Sequence, residues 1–267
     1  VSRWLVTNVP SWLLLVGFVA LLAGAAVLIQ ILLRRRFPRL KGEDHNDVTR
    51  FAFGVVAFVY AFFVGFVVSA MWGQINAADG RVRTEGSTGV QLAKNLVVFD
   101  TPDRDRLRDG LLAYERAVLT EWPLAAGGHA YPEADAAWDR LYTAYTQVRP
   151  RTDVQKTVLS TSLSDLNTIG RARTERVLQA STDVGPPWSL WAVIFLTAGL
   201  VLACAIIYGV EAPAMHYAMV VTVAALVAAN LFLVVELSHP FIGDIGTSPE
   251  PLRQVIRVLT PTRPDST

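Results

Sequence analysis

The chain has 267 residues, 52% hydrophobic and only 18% charged, with a mean hydropathy of +0.36; a soluble domain of this size is less apolar. A formal net charge of +1 gives no bulk attraction for nucleic acid, which is excluded as an expected partner. One cysteine, Cys204, excludes an intrachain disulfide and a Cys-rich metal site.

A spanning helix needs about 20 mostly apolar residues. Four segments meet that length: about 12–33, 51–72, 188–208 and 215–237, none with Lys or Arg inside. Trp12, Trp72, Trp188 and Trp191 stand near their ends, where indole rings prefer the headgroup layer. Arg3 and Ala23-Gly24-Ala25 imitate a signal peptide, but the apolar run continues to Leu33 and stops at Arg34-Arg35-Arg36. It therefore reads as an uncleaved anchor. The loop between spans one and two holds Arg34, Arg35, Arg36, Arg39, Lys41 and Arg50, whereas the Gly209–Ala214 loop holds only Glu211. The positive-inside rule then puts loop 34–50 in the cytoplasm, with both termini and the central region outside. Arg81 and Arg83 pull the other way.

Residues 76–186 read as helices parted by breakers. The first runs from Ala77 to about Val98, in continuation of span two. Thr101-Pro102-Asp103 opens the second, with a cap residue, proline and an acid in order; Leu107, Leu111, Tyr114 and Val118 give its apolar stripe, and Trp122-Pro123 ends it. Pro132-Glu133 opens the third and Thr152-Asp153 the fourth, before Gly185-Pro186-Pro187 leads into span three. No strand alternation occurs. The predicted fold is all-α: a four-helix transmembrane protein with a helical extramembrane domain inserted between spans two and three. The domains are 1–75, 76–186, 187–237 and a tail, 238–267. In the tail Ser248-Pro249-Glu250 opens a short amphipathic helix bearing Leu252, Val255, Ile256 and Leu259. It either lies on the membrane or packs on the central bundle.

Chemistry is sparse. No nucleophile elbow, phosphate loop, dinucleotide fingerprint or zinc-protease motif occurs, so no catalytic residue, no cofactor and no metal is expected. His45 sits with Glu43, Asp44 and Asp47 in a charged loop that reads as solvated. His129 reads as exposed, and His216 and His239 as headgroup contacts, with pH sensing at an interface as the alternative. Inside the spans, Asn230 suggests a helix–helix hydrogen bond and Glu236 a side chain that reaches the interface; the alternative for either is to line an aqueous path.

Span two is the most suggestive element. Phe58, Phe62 and Phe66 recur at i, i+4 and i+8, on one helix face, and Gly54 and Gly65 permit close helix approach. In a ring of identical subunits this face would build an apolar neck of three phenyl layers, able to gate by dewetting. Aromatic ring edges tolerate a passing anion. Packing against other helices or lipid is the plainer use of the same stripe.

Tyr60-Ala61-Phe62-Phe63-Val64-Gly65-Phe66-Val67-Val68, then Trp72, Ala77 and Glu85, resemble the bacterial bestrophin-like membrane family. So do Tyr114 to Glu121-Trp122-Pro123, the Arg171/Arg173/Arg176 group and Pro240-Phe241-Ile242-Gly243. The resemblance implies a multi-pass protein of the bacterial cytoplasmic membrane. It points distantly to the bestrophins, pentameric anion channels with a bulky apolar neck on the second span. Bestrophins keep their helical region in the cytoplasm, opposite to the charge reading here, and no acidic cluster resembles their calcium clasp. The expected protein is a homo-oligomer in contact with membrane lipid and possessed of no enzymatic chemistry, its pore neck formed by Phe58, Phe62 and Phe66. The competing reading is a non-conducting scaffold or accessory subunit with an envelope protein partner. A lipid-processing enzyme is a third, in which Arg171, Arg173 and Arg176 would bind phosphate, although Glu175 and helical spacing favour a solvated face for them.

Overall fold

The computed structural model describes residues 2–37, 46–181, 185–208 and 213–260. The His45, Glu43 and Asp44 group, Arg39 and Lys41 of the basic loop, and Glu211 lie outside the described residues. Nine α-helices and no strand occur among the described residues: α1 (Ser2–Asn8), α2 (Ser11–Arg36), α3 (Asn46–Asn95), α4 (Thr101–Ala126), α5 (Pro132–Thr146), α6 (Asp153–Ser181), α7 (Trp188–Ile207), α8 (Pro213–Leu237) and α9 (Glu250–Leu259). Four helices, α2, α3, α7 and α8, are long and apolar enough to cross a membrane, as the hydropathy pattern requires.

The chain forms two compact units. One comprises 1–74, 184–239 and 243–246; the other comprises 75–183, 240–242 and 247–267. Helix α3 has 50 residues, about 75 Å at 1.5 Å per residue. That is more than twice the ~30 Å hydrocarbon layer, so its first half spans and its second half is extramembrane.

In the first unit α8 is the central span. Val220, Ala224, Val227 and Ala228 are buried along it, and Ala26 of α2 and Ile206 of α7 pack on Val220 and Ala224. Small residues at these positions let helix backbones approach. Helix α2 ends where the Phe37 N–H bonds Leu33 O at 2.8 Å; three arginines in its last turn complement the carbonyl end of the dipole.

The second unit is a helical bundle around Leu92, Leu107, Leu111, Tyr114, Val118, Leu141, Tyr145, Leu166 and Ile169. Leu252, Val255 and Leu259 of α9 belong to the same core, so the short amphipathic helix packs on the bundle and does not lie on the membrane. Its seat needs a glycine: a Cβ on Gly86 would stand 2.6 Å from the backbone of Pro251. Two local expectations need correction. Helix α4 begins with Asp100, not Thr101, as its cap: Asp100 O accepts Arg104 N–H at 2.8 Å, while its carboxylate is held by Arg151 at 3.3 Å and by Gln155 Nε2 at 3.3 Å. Nor does Pro123 end α4, which runs on to Ala126. The proline ring disturbs only the turn before it, and its own carbonyl accepts the N–H of Gly127 at 3.0 Å. Gly128, at φ +81°, then turns the chain toward α5. Helix α6 starts as expected: Thr152 Oγ1 accepts Gln155 N–H at 3.1 Å, and Gln155 Oε1 accepts the N–H of Arg151 at 2.7 Å, a near relative of the capping box.

Candidate functional site

The spanning half of α3 has two unlike faces. Tyr60, Val64, Val67 and Met71, at spacings of four, three and four, are buried against the first unit. Phe58, Phe62 and Phe66 are 72%, 72% and 68% exposed on the single chain. A Cβ on Gly54 or Gly65 would meet nothing within 4 Å, so neither glycine is spent on packing within the chain. Successive phenyl groups rise about 6 Å per step, which makes a continuous apolar stripe on the outside of the protomer.

The polar residues of the spans lie inside the first unit. Gln30 of α2 and His216 of α8 are both buried, and Gln30 Nε2 lies 2.6 Å from His216 Nδ1. His216 Nε2 lies 3.0 Å from Ala205 O on α7. A carbonyl only accepts, so the imidazole is protonated at Nε2 and receives the Gln30 N–H at Nδ1. One neutral histidine thereby ties three spans together. His216 does not contact headgroups: it is wholly enclosed. His239 is buried too, and His129 is exposed. Asn230 is half-buried, and the Tyr60 hydroxyl of α3 is enclosed without a hydrogen-bond partner. Glu236 is enclosed within the first unit. It is 1% exposed, with Ser11 and Asp244 as polar neighbours. Gly243, at φ +83°, closes over it so tightly that a Cβ there would come 2.8 Å from Glu236 Oε2.

The second unit carries a buried charge network that sequence reasoning placed on a solvated face. Arg176 is 1% exposed. Its Nε donates to Glu85 Oε2 at 3.0 Å and its Nη2 to Glu121 Oε2 at 3.3 Å. Arg173 grips Glu121 through Nε at 3.1 Å and Nη2 at 2.5 Å, and reaches Asp135 at 2.8 Å. The Arg176 guanidinium also lies 5.2 Å from the Trp122 ring centroid, and Trp122 meets Phe241 edge-on at 5.6 Å. Burial by itself would lower Arg176, but Glu85 and Glu121 outweigh it and hold the group above its ordinary value. Arg173 behaves alike, with Glu121 and Asp135 opposing burial. Only Arg171 of the trio is exposed. Every buried guanidinium bond is therefore committed to the protein's own carboxylates, which leaves no phosphate cradle here. Glu115 lies beside the network, fully buried, with neither carboxylate oxygen hydrogen-bonded. Burial, then Glu85, push its carboxyl well above the usual range against the pull of Arg176. Tyr114 donates to Glu85 at 3.4 Å and is raised by burial, Glu85 and Glu115.

Among the described residues no group of three His, Cys, Asp or Glu side chains could hold a metal ion. The carboxylates of this network are thus paired with arginine or enclosed.

The model of the bestrophin-like domain matches residues 20–252. The chain belongs to the bestrophin-like family. It is a membrane protein of that fold. A bacterial bestrophin homologue from Klebsiella pneumoniae, solved with a single substitution, superposes with TM-score 0.69 at 14% identity, over 92% of this chain and 97% of that one. A second substituted form gives 0.66 at 14%, over 92% and 98%. Another crystallised membrane protein gives 0.68 at 13%, over 92% and 97%. No curated protein matches the sequence.

Proposed function

We propose that this bestrophin-like protein is a homo-oligomer of the bacterial cytoplasmic membrane that conducts anions passively through a pore lined by α3. Phe58, Phe62 and Phe66 form its neck. The observation that carries this reading is the inverted face of α3: three large phenyl groups point away from the protomer, while Tyr60, Val64, Val67 and Met71 on the opposite face pack inward. In a closed ring that outward face surrounds the axis. Three phenyl layers then make a constriction that water leaves easily, and the positive ring edges receive an anion. Five subunits follow by analogy with the bestrophins. Asn230 and Glu236 act as polar anchors of the spans, and the protein has no enzymatic role.

The charge pattern supports a cytoplasmic loop 34–50, with the termini and the central helical domain on the other side. Protease added to intact cells digests the central domain in that orientation and spares it in the reverse one.

Native mass determination of the solubilised complex and anion flux in liposomes test the function together. A closed ring is expected, with flux that Phe62→Ala raises on the order of tenfold if the neck barrier falls by ~1.4 kcal/mol. An absence of flux, or flux indifferent to Phe62→Ala, overturns the channel. The same outward stripe would suit an accessory subunit whose α3 docks on an envelope protein; a stoichiometric foreign subunit in the native mass would establish that reading instead.

A further inference from the structure

Helix α9 has 10 residues. A free helix of that length is marginal in water, so docking on the bundle is what holds it in shape. Leu252, Val255 and Leu259 supply the docked face, while Glu250, Arg253 and Arg257 are exposed and pair among themselves. Arg108 of α4 ties the far end, donating from Nε and Nη2 to Leu259 O at 2.9 and 2.7 Å. On α3 the seat is made by Gly86 and Gly89, where a Cβ would stand 2.6 Å from Pro251 and 2.9 Å from Val255 Cγ2.

That same point at Gly89 lies 3.0 Å from Glu115 Oε1. The carboxyl of Glu115 and the middle apolar side chain of α9 therefore crowd one position. Glu115 is fully enclosed, and neither of its oxygens is hydrogen-bonded. The charged and titratable groups that act with it are Glu85 from α3, Tyr114 from its own helix α4 and Arg176 from α6; α9 turns its apolar face to the bundle. Arg176 is already committed to Glu85 and Glu121. A carboxylate at Glu115 would be a second enclosed anion beside Glu85 with no donor to receive it, a costly state. Burial, then Glu85, accordingly keep the carboxyl protonated well above the usual range, against the pull of Arg176.

The elements around this carboxyl differ in how firmly they are held. Helices α3, α4 and α6 have 50, 26 and 29 residues and share the ion network, whereas α9 is short and stands outside it. Local opening takes the least supported element first. Lifting α9 withdraws Val255 and admits water to Glu115. The carboxyl O–H bond then breaks, the proton passes to water, and the carboxylate is solvated at the vacated seat. Ionisation needs no path into the docked state, because it takes place through the open one.

We propose that Glu115 is a pH-sensitive latch for α9: the helix is docked while this carboxyl is protonated and is released when it ionises. The latch lies wholly in the second unit and is independent of conduction. Its sign follows from linkage. The docked state binds the proton more tightly than the open one, so docking is complete at low pH and weakens as pH rises toward the docked-state value.

Hydrogen exchange of the full-length protein in detergent tests this from about pH 5 to about pH 9, each rate being divided by the intrinsic rate at that pH. Protection of the amides of 252–259 is expected to fall by up to about tenfold per pH unit, the slope for one linked proton, while the amides of α5 keep theirs. Glu115→Gln cannot ionise and should flatten the α9 profile. Glu115→Met, also unable to ionise, serves if the Gln variant does not fold. Glu250→Gln, on the exposed face of α9, should retain the parent slope. A flat α9 profile in the parent overturns the proposal. An equal fall in α5 does so too, because the bundle then opens as a whole. So does a parent slope that survives in the Glu115 variants, or one that disappears in Glu250→Gln.

Discussion

The two units use their polar and apolar groups in opposite ways. In the spanning unit large apolar side chains such as Phe58, Phe62 and Phe66 face outward, and the fully enclosed polar side chains are few, among them Gln30, His216 and Glu236. In the extramembrane bundle Leu, Val and Tyr fill the interior, together with Glu85, Glu115, Glu121 and Arg176. Water explains the difference. A bundle in water gains by hiding apolar surface and pays desolvation for each buried ion, so its ions must be paired. A span surrounded by lipid gains little by hiding phenylalanine from an equally apolar solvent, and it holds together through close packing and neutral hydrogen bonds.

The sharpest break of that comparison removes one partner of the ion network. Arg176→Met leaves Glu85 and Glu121 enclosed beside too little positive charge and should cost about 3–5 kcal/mol, read by denaturation of the bundle in detergent. Glu85→Gln in the same background should recover part of the loss, since fewer unpaired charges remain. A smaller effect falls on the α9 seat. Gly86→Val drives a branched side chain into the backbone of Pro251, and overpacking of this kind costs about 1–3 kcal/mol. Hydrogen exchange of residues 250–259 should rise while that of α8 stays unchanged. In the spans Gln30→Leu removes the donor to His216 Nδ1. It should cost only about 0.6–2 kcal/mol, visible as a lower melting temperature in detergent. A cost as large as that of Arg176→Met would mean that spans and bundle obey one rule.

The smallest change has the opposite sign. Glu115 has a folded-state carboxyl raised well above its unfolded value by burial and Glu85. Its stabilising contribution is complete below the unfolded pKa and is lost as pH rises through the folded one. Glu115→Gln keeps the neutral shape and cannot ionise. The variant should melt at the same temperature as the parent near pH 4 and higher at neutral and alkaline pH, with a flatter pH profile. A melting profile that retains the parent slope would place the ionisation elsewhere.

The helical architecture was legible because hydropathy and breakers act locally. Runs of 20 apolar residues, Pro102, Pro132 and Thr152-Asp153 each determine a helix or its start within a few residues. Sequence reasoning missed Gln30 and the network of Arg173 and Arg176. Gln30 is a lone amide in an apolar run, a signal available in the sequence, whereas its partner His216 lies 186 residues away. Arg176 looked solvated because Glu175 precedes it and helical spacing spreads the three arginines around α6. Its partners Glu85 and Glu121, 91 and 55 residues away, become neighbours only when α3, α4 and α6 pack together. The stripe of Phe58, Phe62 and Phe66 could be read from periodicity, but not whether it faced in or out.

By itself the sequence determined the number of spans, the helical class, the inserted extramembrane domain and the family, since each follows from local apolar length, turn chemistry or order along the chain. Tertiary structure alone decided which face of α3 is left uncovered, that α9 joins the bundle core, and that Arg176 is an interior ion. Burial is a property of the neighbours a residue acquires, and those neighbours come from distant parts of the chain.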